Sequence, residues 1–186
     1  SFLRILLGKE GMTEKDVTVS NMTADDAAAA FIAGRVPAAV TWEPHLTEVR
    51  KSGNGKVLID STATPGAIVD TVGLKCSVIE KQKTDVVGFV KAYYKAVDYL
   101  KANPEKAYQI MAKGVGGYLE KPEDFAEAAK GVNFYDAARN VRFFGTPEKG
   151  EAADLIALGN SIWGGKGVMK MKVDYATLVD ASFVGR

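Results

Sequence analysis

Residues 23–44 read TADDAAAAFIAGRVPAAVTWEP, and the rest of the chain is organised around them. Thr23 is a good helix N-cap, and Asp25 and Asp26 put negative charge where a helix dipole is positive. Ala27 to Ala30, Phe31 and Ile32 are helix formers carrying an apolar face, and Gly34 is placed to end the helix. Val36-Pro37 restarts the chain as extended. Residues 38–41 then form a short apolar run of the kind that fits a strand in a parallel sheet. An α/β sheet binds ligands beyond the carboxyl ends of its strands. Thr41, Trp42 and Glu43 stand at such an end and offer a hydroxyl, a flat aromatic face and a carboxylate.

Working outward, the segment before this stretch predicts an apolar helix over residues 2–7 closed by Gly8 and Gly11, a turn over 12–16 and a strand over 17–19. After it, Pro44 starts a helix reaching Lys51, and Lys56 to Asp60 reads as another strand around Val57, Leu58 and Ile59. This alternation argues for a small parallel sheet covered by helices. The register changes at STATPG, residues 61–66, a turn-rich linker followed by an extended stretch over 67–74 that Asp70 and Gly73 interrupt. Beyond it the pattern is helical. An amphipathic helix over 85–102 presents Val86, Phe89, Val90, Tyr93, Val97 and Leu100 on one face. Helices follow from Pro104, from Pro122, over 135–144, from Thr146-Pro147-Glu148 to Trp163, and over 174–179.

Composition narrows the function classes. With 186 residues the chain is one medium domain or two small lobes, and its net charge is +1. No basic tract interleaves with aromatics, which argues against nucleic acid as a partner. No apolar run approaches the roughly 18 residues of a membrane span, and the opening residues do not read as a signal peptide. A single cysteine, Cys76, excludes an internal disulfide and a multi-cysteine metal site. The lone His45 reads as a surface or helix-capping residue. Gly114-Val115-Gly116-Gly117 lacks a preceding strand and reads as a helix terminator rather than a phosphate loop. Paired aromatics at 93–94, 134–135 and 143–144 fall at helical spacing and read as core. No catalytic motif is present, so no enzyme and no cofactor is expected.

The succession TADDAAAAFIAGRVPAAVTWEPHL, PGAIVDTV, VVGFVKAYYKAVDYLKANPEKAYQIMAK, GVNFYDAARNVRFFG and LVDASFV resembles the substrate-binding proteins of ABC importers for nitrate, taurine and aliphatic sulfonates, with thiamine-precursor binders as relatives. The resemblance covers nearly the whole chain. It implies an α/β, type II periplasmic-binding-protein fold of two lobes that close on a small ligand at a hinge. Residues 1–62 would be lobe two, 63–74 the hinge segment, and 75–186 the helical remainder of an incomplete lobe one. A further N-terminal segment present in relatives is absent here and is expected on another polypeptide, unless the chain is a fragment. Gly73-Leu74-Lys75-Cys76-Ser77 departs from the more hydrophobic strand and charged turn of relatives.

The resemblance also implies a periplasmic or membrane-anchored extracellular location, an ABC permease as partner and a small-molecule ligand. Its expected contacts are Ser1, Thr41, Trp42, Glu43 and Asp70. Trp42 could wall an apolar stem or a cation, and Glu43 could hold an ammonium; the alternative makes Trp42 core and Glu43 a helix-terminal charge. Ser1 matches a hydroxyl residue opening a helix whose N–H groups suit an anion; the alternative is an ordinary cap. Asp70, a carboxylate in an apolar strand, needs a partner, which could be a ligand amine, a backbone amide or an arginine. A carboxylate-lined site disfavours simple anions and points to a ligand with a cationic end, such as an aminosulfonate. The enzymatic alternative, synthesis of the thiamine pyrimidine, needs a histidine reagent, and a sensory module reusing the fold is a third class.

Overall fold

A computed structural model of the chain describes residues 2–64, 66–164 and 171–185. The chain forms two compact units, one of residues 1–68 and 111–132, the other of residues 69–110 and 133–186. The return of residues 111–132 to the first unit is a long-range event that no local pattern announces.

The first unit holds α1 (Phe2–Lys9), α2 (Ala24–Ile32), α3 (His45–Ser52) and α7 (Pro122–Ala129), together with the end of α6 (Pro104–Val115). Helix α2 starts where its sequence says it should. Thr23 Oγ1 accepts from the Asp26 backbone N–H and donates to the Asp26 carboxylate at 2.7 Å. It ends at Gly34, whose φ of +69° closes the last turn through an Arg35 N–H to Ala30 carbonyl bond of 2.9 Å. Helix α2 packs on α3, and the buried residues of the unit are mostly small: Ala28, Ala30, Val49, Ala112, Ala128 and Ala129, with the larger Leu7 and Phe125.

The second unit holds α4 (Cys76–Lys81), α5 (Lys83–Ala102), the start of α6, α8 (Ala137–Phe144), α9 (Glu151–Trp163) and α10 (Tyr175–Leu178). Asp136 caps α8 by accepting from the Arg139 N–H at 2.7 Å, and it also pairs with Lys101. The hydrogen bond from the Lys101 ammonium, with that of the Arg139 N–H, holds the Asp136 carboxyl below the usual carboxylate range. Arg139 joins α8 to α9 through a bidentate pair with Glu151 at 2.6 and 2.7 Å, while its guanidinium lies 4.3 Å above the Tyr135 ring. Phe143 is buried edge-on against Tyr135 and Phe144. The α5 face is only half covered: Val86 and Val97 are buried, whereas Phe89 and Tyr93 stand open.

The helices therefore follow the sequence pattern, except that the one expected from Thr146 begins only at Glu151 after Gly150, and the expected parallel sheet does not form. Among the described residues none lies in a strand, and only Gly164 makes an isolated bridge. Residues 17–22, 36–41, 56–59 and 68–74 make no backbone hydrogen bond within that set. Most of their apolar side chains are exposed, among them Val19, Val40, Leu58, Ile59, Ile68, Val72 and Leu74, whereas Val17, Val36, Val57 and Val69 are half-buried. A helix satisfies its own backbone, but a strand needs a neighbour to pair with. These segments have the composition of buried strands without the partners that would bury them.

Candidate functional site

The Thr41–Glu43 corner is built on the first unit. Thr41 Oγ1 donates to the Ala24 carbonyl at 2.9 Å, which ties the extended segment to the first turn of α2. Trp42 follows with its side chain in solvent, 65% exposed, so the reading that makes it core does not describe this structure. Its carbonyl accepts from the Leu46 N–H at 3.0 Å and opens α3. The Glu43-Pro44 bond is cis.

Glu43 turns back over α3. Its Oε2 accepts from the Thr47 N–H at 3.0 Å and from the Thr47 hydroxyl at 2.6 Å, and its Oε1 accepts from Arg50 at 2.7 Å. This carboxylate is a helix N-terminal charge held in an ion pair, and its side chain is only 14% exposed. Across it, Gly131 approaches so closely that a Cβ there would lie 3.3 Å from Glu43 Cγ. With Arg50 alongside, the corner is not a bare negative site, and an anion near it meets less repulsion than an isolated glutamate would impose. The spacing Glu43, Thr47, Arg50 follows one helix face, so these partners could have been read from the sequence. Reading Glu43 as a lone charge passes over them.

Beside the corner lies a small open cleft lined by Pro44, Thr47, Glu48 and Lys51 and by Leu119, Asp124 and Ala128. Lys51 Nζ and Asp124 Oδ1 close one edge at 3.0 Å. Seventy-three positions separate the two residues, beyond the reach of any local pattern. Neither Thr41, Trp42 nor Glu43 lines this cleft. Asp70 belongs to the second unit, is exposed, and makes no hydrogen bond or ion pair among the described residues. Ser1 lies outside the described residues. His45 stands 3.8 Å from Glu48, and Cys76 is an exposed free thiol. Among the described residues no cluster of His, Cys, Asp and Glu could hold a metal ion, and no helix is long and apolar enough to cross a membrane.

The family described as NMT1/THI5 like matches residues 1–107, which is more than half of the chain. The chain belongs to the NMT1/THI5-like family. A Bacillus subtilis (strain 168) protein, provisionally named an aliphatic sulfonates-binding protein, is 30% identical over 97 residues. That match takes in 52% of this chain and 29% of the relative, so it spans less than a third of the relative's length. No solved structure matches. Membership of the NMT1/THI5-like family implies the periplasmic-binding-protein fold. Thr41, Trp42, Glu43 and Asp70 all fall inside the matched segment, whereas Asp124 of the cleft lies outside it.

Proposed function

We propose that this chain is the substrate-binding part of an ABC importer, working outside the cytoplasm and capturing a small sulfonate or aminosulfonate without chemical change. The observation that carries the reading is Trp42: a large indole left in solvent at the end of an extended segment, inside the part of the chain that matches the family. Exposing an indole forgoes the stabilisation that burial of so large a surface gives, and a ligand stem would recover it. The sulfonate class comes from the Bacillus subtilis relative. Glu43, the next residue, and its partner Arg50 supply opposite charges at the same corner, which suits a zwitterion such as taurine better than nitrate. Thr41 is proposed as a hydroxyl contact, and Asp70 and Ser1 as further ligand contacts, each tested by its own alanine variant.

The chain has two tryptophans, so a Trp163→Phe variant makes Trp42 the sole indole reporter. Its emission is titrated with taurine, ethanesulfonate, nitrate and the thiamine pyrimidine precursor. Saturable quenching or a blue shift is expected with taurine at the lowest concentration, then ethanesulfonate, with nitrate silent. A response to the pyrimidine alone would transfer the assignment to the thiamine branch of the family. Silence toward all four would refute the reading.

A further inference from the structure

Residues 56–60, Lys-Val-Leu-Ile-Asp, run without regular secondary structure between two anchors, and Asp60 is extended at φ −126° and ψ 179°. Upstream, Gly55 sits so close to the Phe31 ring that a Cβ would come within 2.4 Å of it, and Asn54 Nδ2 donates to the Ile32 carbonyl at 3.0 Å. Downstream, Asp60 Oδ1 accepts from the Thr62 N–H at 2.9 Å and turns the chain into the 3₁₀ turn Ser61–Ala63. The Ala63 carbonyl is in turn held by Lys9 Nζ at 3.2 Å. Between the anchors, residues 56–59 make no backbone hydrogen bond among the described residues, and Leu58 is 81% exposed. A short segment pinned at both ends, with unpaired N–H and C=O groups, is a template for another strand.

The sequence of this segment is complementary to itself. In an antiparallel pair with a two-fold axis through Leu58, Lys56 faces Asp60 of the other copy, Val57 faces Ile59, and Leu58 faces Leu58. Opposite charges and β-branched side chains set directly across from each other are favourable cross-strand pairs. One-residue slips would separate the charges. Lys56 makes no ion pair within its own chain among the described residues. The net charge of +1 offers little repulsion between copies.

We infer that the 186-residue chain associates with a second copy of itself through antiparallel pairing of residues 56–60 about a two-fold axis at Leu58. This rests on the segment's geometry and charge pattern, independently of any ligand. Size-exclusion chromatography with light scattering, from about 1 to 100 µM, tests it. A mass twice the 19.9 kDa of one chain is expected at the upper end. Leu58→Lys places like charges on the axis and should return the monomer. Lys56→Asp sets carboxylate against carboxylate and Asp60→Lys sets ammonium against ammonium, so each alone should weaken the dimer at least tenfold. An equimolar mixture of these two variants restores both ion pairs and should recover it, while circular dichroism checks that each remains helical. A monomer across the whole range would overturn the inference. So would a dimer indifferent to Leu58→Lys and Lys56→Asp, or a mixture no tighter than its components.

Discussion

Helix α9 and residues 36–42 are both rich in apolar side chains, and they meet opposite fates. In α9 every internal amide finds its carbonyl four residues away, Arg139 clamps its first turn, and Asn160 holds Val173 through bonds of 2.8 and 3.0 Å. Residues 36–41 make no backbone hydrogen bond among the described residues, and Thr41 Oγ1 supplies their one side-chain tie, to Ala24. The difference lies in where the partner is found. Helical order is closed within a few residues, whereas extended order stays open until another segment arrives.

The largest expected effect breaks the closed side of this contrast. Phe143→Ala removes a ring that is 4% exposed, and the second unit should lose about 3 to 5 kcal/mol, read as a lower unfolding midpoint in urea. Amide hydrogen exchange sharpens the contrast next. The amides of α9 should exchange at least about a hundredfold more slowly than those of residues 56–59. On the open side, Thr41→Val deletes the hydroxyl bond to the Ala24 carbonyl, and a loss of about 1 kcal/mol is expected in the same urea assay.

A pH experiment reaches the caps. The folded-state pKa of Asp136 is depressed by Lys101 and by the Arg139 N–H, so its contribution is complete above the unfolded value near 4 and is lost as pH falls through the folded one. Asp136→Asn should lower the melting temperature at pH 7 and flatten its decline below about pH 4. The smallest effect is expected at Val72, which is 63% exposed. Val72→Thr should change stability by less than about 0.5 kcal/mol, read from its melting temperature.

The same division explains what could be read from the sequence. Thr23, Gly34, Pro44 and Pro122 mark helix ends through backbone chemistry that acts within one turn, and the helices begin or stop beside them. Residues 17–19, 38–41 and 56–60 carry strand composition, but composition does not specify a pairing partner, and no sheet forms from them here. At the site, the helix-face spacing of Glu43, Thr47 and Arg50 was present in the sequence, whereas the Lys51–Asp124 pair depends on the return of residues 111–132 to the first unit. The exposure of Trp42 was equally out of reach, because apolar periodicity does not tell a buried indole from an exposed one.

Calorimetric titration of taurine into the unchanged chain and into Trp42→Ala tests the functional claim most directly. A saturable heat is expected for the unchanged chain, with affinity at least tenfold weaker in Trp42→Ala and the helical circular dichroism retained. No heat with taurine or any alkanesulfonate, or equal affinity in the two proteins, would contradict the assignment of Trp42 to the ligand.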